Sequence, residues 1–141
     1  MRSSSTPTPD ATWLLSPPLE REYGRLGDEF LASFLDQEVT RRPRSFEALE
    51  LLGEVLTRLG RHTEGLAVDR RLVTLAPEDA TVRYNLACSL ALTQDTEAAL
   101  QALTEAIGLG FENVDLLRTD DDLASLREDP RYVRLVAALQ T

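Results

Sequence analysis

The sequence predicts an all-α fold, a short α-α superhelix built from antiparallel helix pairs. From Leu19 onward apolar residues recur at steps of three and four, and the alternation of β-branched residues typical of strands is missing. Glycines and prolines divide this region into segments of helical length. Pro43 and Pro77 lie 34 residues apart, a period typical of stacked helical hairpins. A chain of 141 residues is expected to form one domain.

Residues 1–18 are predicted to form a flexible N-terminal tail. Proline disfavours helix at the residue before it, and the segment contains Thr6-Pro7-Thr8-Pro9 and Ser16-Pro17-Pro18. The apolar trio Trp13-Leu14-Leu15 interrupts this polar composition. Such a trio either packs back onto the folded body or meets a partner, and the sequence leaves both alternatives open.

The first helix is predicted over residues 20–40, with Gly24 and Gly27 as places where it could break. Pro43 ends it, and Ser45 is a plausible N-cap for the next helix. The apolar stripe of this first helix, which we expect to face inward, comprises Leu26, Phe30, Leu31, Phe34 and Leu35. Further helices are predicted over residues 46–59, 62–75, 79–93 and 95–109, followed by shorter pieces over 112–117, 121–127 and 130–139. Asp120 is a good N-cap candidate, and Pro130 suits a first helical turn.

When the sequence is aligned with itself at a step of 34 residues, similar residues coincide. Leu52-Gly53 falls on Leu86-Ala87, and Gly65-Leu66 falls on Ala99-Leu100. One full unit comprises Leu49, Leu52-Gly53, Leu56, Leu59-Gly60, Gly65, Leu72, Leu75 and Pro77. A second comprises Leu86-Ala87, Leu90, Ala99, Leu103, Ala106 and Leu109. In this pattern the chain resembles the tetratricopeptide repeat family.

The resemblance implies a domain organisation. The tetratricopeptide-like domain would cover residues 19–141, with a degenerate opening unit (19–45), two repeats (46–79 and 80–113) and a degenerate closing unit (114–141) similar to those of bacterial arrays. The chain departs from the family pattern at several positions, and Phe111 stands in place of the closing proline. Asp69 stands where the family has an aromatic residue, and we expect it to face solvent or to pair with an arginine. Gln94-Asp95 replaces the usual glycine of the turn.

The charge balance limits the classes of partner. A net charge of −9 and a sequence pI near 4.6 disfavour nucleic acid and anionic membrane surfaces. The apolar runs are too short to span a bilayer, and Met1 to Asp10 lacks the apolar region of a secretory signal. The lone cysteine, Cys88, excludes an intramolecular disulfide. Together these features predict a cytoplasmic protein.

Candidate chemical groups favour a structural interpretation over catalysis. His62, the single histidine, has no evident partner for a catalytic or metal-binding role, and Cys88 lacks a nearby base. The run Asp120-Asp121-Asp122 does not fit a calcium loop, because the positions that need Gly and Glu hold Ser125 and Arg131. Phosphate-loop and hydrolase motifs are missing. We therefore predict no enzyme, no catalytic residues, no metal and no cofactor.

The resemblance also implies a concave groove lined by the first helix of each repeat, which binds an extended peptide or a partner helix. By position the groove residues are Glu47, Glu50, Leu51, Glu54, Arg58, Thr81, Tyr84, Asn85, Cys88 and Leu92. Three glutamates oppose a carboxylate-binding clamp, so we expect a basic ligand with apolar anchors, and hot spots at Tyr84 and Leu51. The implied function is a non-enzymatic scaffold or adaptor for protein binding. The alternatives are a homo-oligomerising structural module, such as a homodimer, and a small client-specific cytoplasmic chaperone.

Overall fold

The computed structural model describes residues 17–141, with side chains from Arg21 onward. The predictions for the tail, including the alternatives for Trp13, Leu14 and Leu15, lie outside the described residues. Residues 17–141 contain helices and turns and no strand, which confirms the all-α prediction. The elements are α1 (Pro17–Arg41), α2 (Phe46–Arg58), α3 (His62–Leu75), α4 (Ala80–Leu92), α5 (Thr96–Gly108), α6 (Val114–Thr119), a 3-10 helix (Asp121–Leu126) and α7 (Pro130–Ala138).

Sequential helices pack against each other along the chain, which produces the solenoid. The most extensive contacts join α4 to α5 and α2 to α3, and α3 packs in turn on α4. The 3-10 helix lies against α4, so the C-terminal elements close the stack. None of the described helices, from Pro17 onward, combines the length and apolar character needed to span a bilayer.

Side-chain caps explain where most of the helices begin. The Ser45 hydroxyl accepts a hydrogen bond from the Ala48 amide at the start of α2. Asp79 and Asp95 do the same for α4 and α5. Asp120 caps the 3-10 helix, where its carboxylate accepts from the Asp122 amide at 3.0 Å. The predicted caps at Ser45 and Asp120 are confirmed.

The two central hairpins share one turn geometry. Gly60 follows α2 with φ 73°, and Gln94, 34 residues later, follows α4 with φ 65°. In each case the next amide bonds back to a carbonyl five residues earlier, Arg61 to Leu56 and Asp95 to Leu90, both at 2.9 Å. The second turn therefore holds a side-chain-bearing residue in the left-handed region that favours glycine.

Replacing Gln94 by glycine is expected to stabilise the fold. The left-handed conformation costs a non-glycine residue roughly 1–2 kcal/mol, partly offset by the greater flexibility of glycine in the unfolded chain. We expect a net gain of about 0.5–1 kcal/mol, seen as a rise of a few degrees in the melting temperature. The reciprocal change, Gly60→Gln, should lower it. A lower melting temperature for Gln94→Gly would contradict this account of the turn.

α1 departs from its prediction in three ways. It begins at Pro17, inside the predicted tail, because prolines are tolerated in a first helical turn. It continues through Gly24 and Gly27 without a break. Its buried side chains are Ala32, Leu35 and Val39. The predicted inward residues Leu26, Phe30 and Phe34 are exposed, because the described residues cover only the face of α1 that packs on α2.

The interior consists of two apolar clusters. One joins α1, α2 and α3 around the fully buried Leu49 and Val55. The other joins α4 and α5 to the C-terminal elements around Leu103, Leu117 and Leu123. The C-terminal elements share the second cluster. The packing of the 3-10 helix on α4 therefore fixes one side of the concave surface between α2 and α4.

Candidate functional site

A concave groove of about 450 Å³ lies between α2, α4 and the 3-10 helix. Seven of the ten predicted groove residues line it: Glu47, Glu50, Leu51, Glu54, Arg58, Asn85 and Cys88. Three do not. Thr81 is exposed at the start of α4, Leu92 is half-buried at its end, and Tyr84 is buried.

Tyr84 corrects the prediction of an exposed aromatic hot spot. Its side chain is only 3% exposed, and its ring stacks on Phe111 with centroids 4.3 Å apart. Its hydroxyl donates a hydrogen bond to Asp120 Oδ2 at 2.5 Å. The closing unit thus covers the residue that a repeat pattern alone places on an open surface.

The closing unit also contributes to the groove. Asp120 and Asp122 line it beside Cys88, together with Gly53, Thr57 and Ser89 from the two first helices. The sequence identifies Asp120 as a helix cap, which is correct. It gives no signal that the cap lies against the groove, because that depends on how the 3-10 helix packs on α4.

Carboxylates dominate the charge of this groove. Glu47, Glu50 and Glu54 come from α2, and Asp120 and Asp122 come from the opposite wall. Burial and the neighbouring Asp120 raise the pKa of Asp122, as expected where like charges crowd together. The groove is therefore strongly acidic.

Arg58, the single basic residue among the described lining residues, is already engaged. Its Nε and Nη2 donate to the two oxygens of Asp28 at 3.2 and 3.0 Å, a bidentate pair. Its Nη1 donates to Glu54 Oε1 at 2.9 Å. The hydrogen bonds from Arg58 hold the pKa of Asp28 below its usual range. A carboxylate-binding role for Arg58 would require breaking these contacts.

Cys88 lies at the bottom of the groove as a buried thiol. It is 7% exposed, with its Sγ 3.8 Å from Asp120 Oδ2. Burial and the Asp120 charge raise the pKa of the thiol, which keeps it protonated and a poor nucleophile.

Ligand atoms of Cys88, Asp120 and Asp122 lie within 4.8 Å of one another, close enough to surround a small ion. The oxygens of Asp120 already accept hydrogen bonds from the Tyr84 hydroxyl and the Asp122 amide. These contacts give the carboxylate a structural role, in anchoring the 3-10 helix to α4.

Beneath the groove lies a buried carboxyl group, that of Asp69. It is 7% exposed and accepts a hydrogen bond from the Ser89 hydroxyl, and a Cβ added at Gly53 would lie 3.4 Å from its Oδ1. Burial raises its pKa to about 6, against the opposing effect of Ser89. The expectation that Asp69 faces solvent or an arginine is therefore wrong, because the sequence does not show that Ser89 of α4 lies opposite it.

Comparisons with known proteins support the architecture. No family model matches the chain. A segment of 57 residues, 40% of this chain, is 42% identical to a chloroplastic protein from Arabidopsis thaliana, and covers only 17% of that protein.

Two solved structures of MamA, a tetratricopeptide-like helical repeat protein, resemble the fold. MamA 41-end from Desulfovibrio magneticus RS-1 is 23% identical with a TM-score of 0.61, over 83% of this chain and 69% of that one. The MamA RS-1 ArsTM double mutant is 22% identical with the same TM-score, over 81% of this chain and 66% of that one, just under two thirds of its length. At these identities the likeness concerns the fold alone, an all-α helical-repeat solenoid.

Proposed function

We propose that the chain is a non-enzymatic protein-interaction scaffold whose concave groove binds a basic segment of a partner polypeptide. The observation that carries this proposal is the imbalance of charge in the groove. Five carboxylates line it, and the one lining arginine, Arg58, is held by Asp28 and Glu54. Lysine or arginine side chains of a partner would supply the missing positive charge.

Leu51 is the apolar anchor point in this proposal. It lies in the groove beside Glu50 and Glu54 and remains 40% exposed. Apolar groups that lose water on binding contribute strongly to affinity. Asn85, half-buried on the opposite wall, offers an amide to a bound backbone. The expected ligand is therefore basic with at least one apolar side chain.

The potential nucleophiles in and beside the groove support a binding role over nucleophilic catalysis. The Cys88 thiol has a raised pKa, and the Tyr84 phenol is buried with its pKa raised by that burial. Neither group is activated as a nucleophile or base at neutral pH.

A labelled peptide that contains lysines, one leucine and a central proline tests this proposal, because proline keeps the peptide extended. The double variant Glu47→Gln/Glu50→Gln should weaken binding at least tenfold in fluorescence anisotropy, since two attractive charges are lost. Glu54 stays unchanged, because it also holds Arg58.

The matched control is the exposed Glu112→Gln/Glu128→Gln variant, which changes the net charge equally away from the groove. It should retain the wild-type affinity. An equal loss of affinity in both variants would show that net charge alone attracts the peptide, and wild-type affinity in both would show that the groove carboxylates do not bind it. Either result would mean that the groove assignment is wrong.

A further inference from the structure

The outer face of α1 carries a row of exposed apolar side chains. Tyr23, Leu26, Phe30 and Phe34 are 58%, 57%, 76% and 55% exposed. At 3.6 residues per turn they fall within an arc of about 80°, nearly opposite the buried Ala32, Leu35 and Val39. We refer to these four side chains as the α1 stripe. A helix that is apolar on two opposite faces is typical of one packed on both sides.

The 34-residue repeat indicates what shape of partner the α1 stripe fits. Phe34 is equivalent to Val68 of α3, and Leu31 to Gly65. In the next hairpin both positions contact α2. A Cβ on Gly53 would lie 3.5 Å from Val68 Cγ1, and one on Gly65 would lie 3.8 Å from Leu56 Cβ. Phe34 therefore lies on the face of α1 where a first helix would lie, and none precedes α1 among residues 17–141. Phe30 is equivalent to Glu64, an exposed residue of α3, so it lies at the outer edge of that face.

The edge of the α1 stripe is acidic. Glu22, Glu29 and Asp36 recur every seven residues and keep to one side of it. Arg61 lies 3.5 Å from Glu29, but its principal partner is Glu64. A helix seated on the α1 stripe would therefore meet three carboxylates along one edge, with Arg41 at the C-terminal end of the stripe.

A second copy of the chain fits this edge poorly. In an antiparallel two-fold pair the same edges face each other, so the acidic edge would meet its own copy. Each copy also carries a net charge of −9. Like charges placed opposite each other oppose such an association.

The apolar trio before α1 is too close to α1 in sequence to reach the far end of the α1 stripe. Phe34 lies about 26 Å along α1 from Pro17, and the four residues from Trp13 to Pro17 reach only about 14 Å. Residues 1–12 contain no aromatic residue, leucine, isoleucine or valine. The Phe34 end of the α1 stripe is therefore left for a different occupant.

We propose that the α1 stripe binds an amphipathic helix of a partner protein. The partner's apolar residues, spaced by three and four, would pack on Phe30 and Phe34. Its lysines or arginines would lie along Glu22, Glu29 and Asp36. This helix would complete the first hairpin as α2 completes the second.

A labelled helical peptide with a leucine stripe and flanking lysines is the probe for this site. We expect the double variant Phe30→Ser/Phe34→Ser to weaken its binding at least tenfold. Both side chains are exposed, so the melting temperature should be preserved. Val133→Ser, a change at an apolar residue of α7 that is 52% exposed, is the matched control and should leave binding unchanged.

The groove variant Glu47→Gln/Glu50→Gln separates this proposal from that of the concave groove. It should leave binding of the helical peptide intact while weakening that of the extended one. If Glu47→Gln/Glu50→Gln abolished binding of the helical peptide and Phe30→Ser/Phe34→Ser did not, the α1 assignment would be wrong. The groove proposal would be unaffected. A version of the peptide with glutamates in place of lysines should bind at least tenfold more weakly, and equal binding would overturn the predicted charge of the partner.

Two further measurements test the rejected occupants. Sedimentation of the wild type at increasing concentration should show a monomer. A dimer that Phe30→Ser dissociates would assign the α1 stripe to a second copy and overturn the proposal. Trp13→Ser should leave peptide affinity unchanged, and a tenfold gain would show that residues 1–16 occupy the site instead.

Discussion

The substitution Tyr84→Ala is expected to lower the free energy of unfolding by about 3–5 kcal/mol. The ring is buried and stacked on Phe111, and the surrounding cluster joins α4 and α5 to the C-terminal elements. Truncation would leave a cavity at this junction and would remove the donor from the Asp120 carboxylate. Chemical denaturation followed by circular dichroism measures the change directly.

One variant separates the contribution of ring packing from that of the hydrogen bond at Tyr84, and a second variant is the control. Tyr84→Phe keeps the ring and removes only the hydrogen bond to a charged acceptor, for an expected cost of about 1.5–3 kcal/mol. Val133→Ala, at an exposed apolar site on α7, should cost less than about 0.5 kcal/mol. If Tyr84→Ala were as mild as Val133→Ala, Tyr84 would be an open surface residue, and the packing of the closing unit on α4 would be wrong.

Local chemistry made much of this fold predictable from sequence. The predicted helices from residue 46 to residue 109 agree with α2 to α5 within one residue at each end. Prolines 43 and 77 and the caps at Ser45 and Asp120 act on their immediate neighbours, so their effect can be read without knowledge of the tertiary structure. The short helical segment predicted over residues 121–127 also forms, although as a 3-10 helix.

The failures at Tyr84, Asp69 and α1 have a common cause. Each depends on which element covers a given face, and the period of the sequence does not encode that. Asp120 covers Tyr84 from 36 residues away, and Ser89 meets Asp69 from 20 residues away. On α1 the apolar pattern fits two faces, and only the packing on α2 selects Ala32, Leu35 and Val39 as the buried one. The groove was predictable where it comes from the repeats, and unpredictable where the closing unit contributes Asp120 and Asp122.

Asp69→Asn is expected to stabilise the protein at neutral pH and to change its pH dependence. Burial raises the pKa of the carboxyl from 3.8 to about 6, so the folded state binds this proton more tightly than the unfolded state does. The resulting stability is fully present below about pH 3.8 and is lost as the pH rises through about 6. Above pH 7 the ionised group therefore costs up to about 3 kcal/mol relative to its protonated form.

Asparagine removes that charge and keeps an oxygen that accepts from the Ser89 hydroxyl. We expect Asp69→Asn to raise the free energy of unfolding by about 1–3 kcal/mol at pH 7.5, and the gain to shrink towards zero only below about pH 3.8. The difference between the variant and wild-type free energies of unfolding at each pH removes the contribution of ion pairs that both proteins share, such as Asp129 with Arg131. Glu128→Gln, at an exposed carboxyl, is the matched control. A difference between Asp69→Asn and the wild type that does not vary with pH would mean that Asp69 is not a buried ionising group. The floor of the groove would then be open to water.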